Sequence, residues 1–299
     1  MKPVMRTAGA AIAGGAAFLC LAFAPGIASA QAWLPDQGTL VVSFDYSDIL
    51  NKRHFFPDGS EVDAGHTTTH AMSINAVYGL SDRLMLKAGL PYITTRYRGE
   101  FPHPGHTDEH TNTTFTDLQV SLHYQLKDGP FAVAPYASLV LPTTSYPTLG
   151  HSAPGRGLDE LWFGAYVAQS LNEWIPRTYV QGRYNYAIVE KVAGITHNRS
   201  NADLEIGYFL TPDWSIRALA AWQDTHGGIA VPIPPTNPLF PFHDQLAAEG
   251  FLNVGGGLSW TIDDRWSAYG FYLHALEGEN GHKVEHRVSV GVTMNLGGR

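Results

Sequence analysis

The sequence predicts an all-β chain: a transmembrane, up-and-down antiparallel β-barrel of about 12 strands behind a cleaved export signal. Three observations lead there. Apolar and polar residues alternate with period two over stretches of about ten residues. The connections between these stretches are short and long in turn, as in barrels with tight turns at one end and elaborate loops at the other. Beyond residue 30 no run approaches the roughly 18 apolar residues of a membrane helix.

The first 30 residues read as a signal peptide. Lys2 and Arg6 precede the apolar stretch from Ala8 to Ala24, and Ala28-Ser29-Ala30 supplies the small residues of a cleavage site. The barrel is then expected over residues 31–299. The lone cysteine, Cys20, falls in the leader, so disulfides play no part in the barrel. The net charge of −8 argues against nucleic acid as a partner.

The strand-like segments lie near 39–49, 67–80, 84–96, 114–127, 131–142, 159–171, 177–189, 201–210, 214–223, 247–261, 265–277 and 285–297. Alternation is clean in Leu118, Val120, Leu122, Tyr124 and Leu126 against Asp117, Gln119, Ser121, His123 and Gln125. It is clean again in Val288, Val290, Val292, Met294 and Leu296. It is poor at 131–142, 159–171 and 265–277. Short connections such as Ser81-Asp82-Arg83 and Thr211-Pro212-Asp213 alternate with long ones near 50–66, 97–113, 143–158, 190–200, 224–246 and 278–284. An even number of strands puts both termini at the tight end.

Lipid offers no hydrogen-bond partner, so a sheet that spans it must close on itself. Closure lets one face meet acyl chains while the other stays polar. That accounts for a mean hydropathy just below zero in a membrane protein. Trp174, Trp214 and Trp266 beside short turns fit the headgroup level. A secreted β-sandwich would produce the same alternation with the apolar face inside. The bulky charges of both signs on the polar face favour the barrel.

Tyr78-Gly79-Leu80-Ser81-Asp82-Arg83-Leu84, running on to Gly89-Leu90-Pro91-Tyr92, resembles the strand–turn–strand signature of the outer-membrane proteins named for the MetA pathway of phenol degradation. Thr116-Asp117-Leu118 with Leu122-His123-Tyr124-Gln125-Leu126, and Tyr208-Phe209-Leu210-Thr211-Pro212-Asp213-Trp214, are similar to it again. The resemblance implies an outer-membrane protein that helps small organic compounds across, with no catalytic residues to carry over.

The polar face supplies the expected lumen lining: Asp45, Asn75, Lys87, Asp117, Gln119, His123, Gln125, Arg183, Asn185, Asp203, Glu205, Arg217, Asn253 and Arg287. Mixed signs suit small polar or neutral solutes and weak selectivity. The same groups could instead knit into a plug. The stretch 224–246 carries five prolines among Ile229, Val231, Ile233, Leu239, Phe240 and Phe242, a stiff apolar loop expected to fold over or into the mouth and gate it.

Ten histidines fall in the expected long loops: His54, His66, His103, His106, His110, His151, His197, His226, His243 and His282. The densest group, His103, His106 and His110, could bind zinc or copper at the surface, although no cofactor is required. His197 near Ser200 resembles the Ser–His pairing of outer-membrane phospholipases, but its spacing differs and no enzyme is expected. The chain therefore reads as an outer-membrane channel passively admitting small molecules, hydrophobic or aromatic ones by resemblance, with lipid and solute as partners. The alternative is a non-conducting surface barrel whose His-rich loops bind metal or a partner.

Overall fold

A computed structural model of the chain describes residues 32–297 except 64, 101, 104 and 105; the expected signal peptide lies outside the described residues. The chain forms β1 (Leu40–Phe55), β2 (Glu61–Val62), β3 (His66–Ser81), β4 (Leu84–Arg98), β5 (Thr111–Phe115), β6 (Asp117–Tyr124) and β7 (Phe131–Pro142). It continues with β8 (Glu160–Ser170), β9 (Thr178–Val189), β10 (His197–Phe209), β11 (Trp214–Gly227), β12 (Gly250–Thr261), β13 (Trp266–Glu279) and β14 (His282–Asn295). Sequential strands pair antiparallel, and β14 pairs back onto β1 from Val41↔Asn295 to His54↔His282. β5 and β6 flank Thr116 and run as one stave along β4, and β2 is a short flap on the end of β1, so the closed wall has twelve staves.

Burial runs opposite to that of a soluble sandwich. Phe44 is 56% and Met72 58% exposed, whereas their neighbours Ser43 and Ser47 are 2% and 5% exposed. The polar face is inside and the apolar face looks out, the arrangement of a barrel in lipid. Aromatic residues gather at the turn end of the outer belt: Tyr78, Tyr124, Tyr208, Phe209 and Trp266, with Trp214 and Trp260 stacked 5.4 Å apart across β11 and β12. Ile74 sits mid-strand on this face, beside Phe44 and Leu90 of the adjoining strands. Ile74→Arg is expected to cost about 2–4 kcal/mol, as a charge at the bilayer midplane does. Equilibrium unfolding from vesicles checks this; a loss well under 1 kcal/mol would mean that this face is not in lipid.

The three poorly alternating segments are barrel strands all the same, and the structure shows why their pattern is weak. The inward residues Ala132, Ala134 and Tyr136 of β7 and Tyr166 and Ala168 of β8 pack on Ala32, Trp33 and Leu34, which tuck into the turn end of the lumen. Trp33 Nε1 donates to Gly129 O at 2.8 Å, and Leu34 N donates to Gln125 Oε1 at 2.9 Å. On β13, the inward Tyr269, Phe271 and Leu273 pack with Leu219. Where the interior is filled by protein, the inward face becomes apolar too.

The strands at the loop end run past their expected limits. A tilted strand crosses the bilayer in about 9–11 residues, whereas β1 and β3 have 16 each. The hydropathy pattern stops where lipid stops, but the hydrogen-bonded ladder continues into water. His54, His197, His226 and His282 therefore lie on strands, not in loops, and His66 opens β3.

Candidate functional site

The expected lumen residues all project inward, each sharing its face with buried neighbours on its strand. Cross-strand partners neutralise many of them. Arg183 pairs with Asp203, its direct register partner, and Arg217 Nη1 meets Glu205 Oε2 at 3.4 Å. Asn75 Nδ2 donates to Asp45 Oδ2 at 2.6 Å, Gln119 Nε2 donates to Ser138 Oγ at 3.0 Å, and His123 Nε2 lies 2.8 Å from Ser121 Oγ. The His123 ring stacks on Tyr136 and Tyr166 with centroids 4.9 and 5.7 Å away. Arg287 Nε donates to Ser289 Oγ at 3.2 Å, while Asp117 accepts the Tyr146 hydroxyl from the β7–β8 loop. Tyr179 lies flat against the wall because its partner across the strands is Gly207, where any Cβ would collide with the ring. From there its hydroxyl reaches Glu205.

Sequence reading did not single out the second tier of buried ion pairs, nearer the loop end. Arg199, 1% exposed, pairs with Glu160, and Arg156 Nη2 meets Glu249 Oε2 at 2.8 Å. Glu160 Oε2 also accepts Trp162 Nε1 at 2.7 Å. Glu160 opens a segment with poor alternation, and Arg199, Arg156 and Glu249 fall in stretches read as loop or loop edge. One cavity of about 50 Å³ lies among Tyr166, Gln181, Arg183, Asp203, Glu205, Leu219 and Leu273, room for a few waters.

The proline-rich segment folds inward as a lid at the loop end of the barrel. Ile229, Val231 and Ile233 are 6%, 4% and 7% exposed. Ile229 and Ile233 pack with Leu246 against Val140, Leu158, Trp162, Ala187 and Val189, with Leu239, Phe240 and Phe242 half-buried around them. The lid is tied down by Val231 N donating to Asn280 Oδ1 at 3.1 Å and Gln245 Nε2 donating to Arg156 O at 2.6 Å.

Beside the lid lies a buried histidine–aspartate cluster drawn from three loops. His103 joins His151, His243, Asp108 and Asp244 there. His106 stays near it, its ring 6.5 Å from that of His103, whereas the one-turn 3-10 helix Thr107–Glu109 points Asp108 inward and leaves His110 exposed. His103 Nδ1 lies 2.9 Å from Asp244 Oδ2. Burial works to lower the His103 imidazole, but the hydrogen bond and charge of Asp244, with that of Asp108, hold it above its ordinary value. Asp108 is held low against its burial by His151 and by the His103 backbone N–H.

His197 and Ser200 do not meet. His197 faces inward, with Nε2 2.8 Å from Ala247 O, whereas Ser200 is on the outward face, 2.7 Å from His226 Nε2. Asp224 Oδ2 lies 3.6 Å from His226 Nδ1. The backbone around Ser200 lies in the ladders with β9 and β11.

Comparison with known proteins agrees with the architecture. An outer membrane channel from Pseudomonas putida is similar with a TM-score of 0.70 at 14% identity, covering 90% of this chain and 100% of that one. The NanC porin is similar at a TM-score of 0.48 and 12% identity, covering 86% and 100%. The CymD monoaromatic hydrocarbon channel is similar at 0.48 and 10%, covering 89% and 90%. At 14% identity the likeness to the Pseudomonas putida channel speaks for the fold alone. No curated protein matches. The family model described as the MetA-pathway of phenol degradation matches residues 54–286. With its closed wall, apolar outer belt and polar interior, the chain is a bacterial outer-membrane β-barrel and belongs to that family.

Proposed function

We propose that the barrel is a passive outer-membrane channel for small molecules, with hydrophobic or aromatic compounds as the favoured class. The observation that carries this is the apolar lid seated in the mouth of a polar, charge-paired lumen. Leu239, Phe240 and Phe242, half-buried over Ile229 and Ile233, offer at the mouth a surface that an apolar solute can wet and a hydrated ion cannot, the property of a hydrophobic gate. Similarity to a solved outer membrane channel and membership of a family named for phenol degradation support the same direction.

The alternative, a non-conducting barrel, draws on the paired charges across the interior and on Ala32–Leu34 lodged in its turn end. Liposome swelling with matched polar and aromatic solutes separates the two. The expected result is faster entry of the aromatic member of each pair. Equal exclusion of all solutes, together with silence in planar bilayers, would favour the non-conducting barrel.

A further inference from the structure

His54 is the last residue but one of β1 and His282 opens β14, so they meet at the seam where the barrel closes, as direct register partners. Irregularities on both strands bring them there. The register slips between Leu50 and Asn51 and again between Asn51 and Arg53. The inward face thus passes from Ser47 and Ile49 to His54, and on β14 from Arg287 to Val284 and His282. The two rings lie 3.8 Å apart edge to face. The third ring, His151, descends from the loop between β7 and β8 to 5.6 Å from His54 and 5.8 Å from His282.

We propose that His54, His151 and His282 form a buried tris-imidazole site for a divalent transition metal, zinc by preference, that fastens the β7–β8 loop to the closing seam. One nitrogen from each residue lies within 4.8 Å of the others, and the three residues are 3%, 2% and 6% exposed. Neither nitrogen of His54 has a hydrogen-bond partner among the described residues, nor does Nε2 of His151. Buried nitrogens of this kind call for a ligand, because leaving them unmet carries their full desolvation penalty.

His151 is already prepared for the role. Its Nδ1 lies 2.6 Å from Asp108 Oδ2, which places the proton on Nδ1 and leaves Nε2 free to donate its lone pair. Asp108 is itself fixed by the backbone N–H groups of His103 and Ser152, both at 2.9 Å. The rings of Tyr97 and His103 stack on His151, each at 4.4 Å, and hold its plane. Three imidazoles with a carboxylate behind one of them suit zinc, whose tetrahedral bonds to nitrogen set the ligand atoms roughly 3.4 Å apart. The neighbouring groups His103–Asp108 and His103–His243–Asp244 are engaged in ion pairs with one another, so they rank behind.

The test is titration of zinc chloride into the chelator-treated barrel folded in detergent, followed by calorimetry. One equivalent is expected to bind. His54→Ala and His151→Ala should each weaken binding at least tenfold, and Asp108→Asn by about 10–100-fold as for other carboxylates behind a ligating histidine. The double change His106→Ala with His110→Ala should leave affinity unchanged. Cobalt chloride on the unaltered protein provides a readout independent of any variant's folding: a tetrahedral d–d absorption band is expected. Absence of that band, absence of stoichiometric zinc binding, or unchanged affinity in folded His54→Ala and His151→Ala would overturn the proposal.

Discussion

Replacing residues 229–242 by a short glycine–serine link is expected to raise single-channel conductance several-fold and to abolish any preference for aromatic over polar solutes. The segment is the apolar part of the lid, and its removal uncovers Val140, Trp162 and Val189 around the mouth. The flanking backbone can accept the change. Ile229 N donates to Leu246 O at 2.7 Å and Leu246 N donates to Phe242 O at 2.9 Å, so the cut ends are already close. A milder variant, Ile233→Asn, keeps the chain length and places a polar group in the packed cluster. It should raise conductance in the same direction and less far. Dewetting at an apolar constriction is the physical basis, because a polar group lets water, and with it ions, persist there. Planar-bilayer recording of the three proteins decides the matter. Indistinguishable open levels and solute preferences would mean that the lid does not gate.

Glu160→Ala is expected to destabilise the folded barrel by about 3–5 kcal/mol, because it removes the carboxylate that pairs with the buried guanidinium of Arg199. Arg199 is 1% exposed, and the lost carboxylate also accepts Trp162 Nε1. The double change of Glu160→Leu with Arg199→Met should recover much of the loss, since matched apolar groups of similar volume carry no unpaired charge. Arg53 also contacts two carboxylates, Glu61 and Glu285, but in water at the rim; Arg53→Ala should leave the unfolding midpoint where it is. Denaturant unfolding followed by tryptophan fluorescence measures all three. Equal losses for Glu160→Ala and Arg53→Ala would show that the interior pair is as well solvated as the rim.

How much of this was legible in the sequence depends on what each residue faces. Leu118 to Leu126 and Val288 to Leu296 read cleanly because lipid lies on one side and polar lumen on the other. Ala132, Ala134 and Tyr136 read poorly because the residues that cover them, Ala32 to Leu34, are about a hundred positions away in the chain. The lid was visible as a cluster of prolines among large apolar groups, though its seat against Trp162 and Val189 was not. The pairs Arg199–Glu160 and Arg156–Glu249 were missed because two-residue periodicity ends at the membrane surface, while the wall and its inward-turned side chains continue beyond it.

The histidines show the division most sharply. Their abundance and loop-end location were evident from the chain alone, but which of them converge was not. Nearness in sequence favoured His103, His106 and His110, whereas one helical turn sends His110 outward. Slips in the ladder at Asn51 and between Arg287 and Val284 turn His54 and His282 inward, toward a loop that arrives from between β7 and β8. By itself the sequence determined the closed barrel, its even strand number and its orientation in lipid, because alternation and loop length are local consequences of hydrogen bonding in a medium without water. Only the tertiary structure decided what fills that barrel. The interior is set by bulges, by loops folding inward and by charges meeting across strands, and each of these joins residues that no local pattern relates.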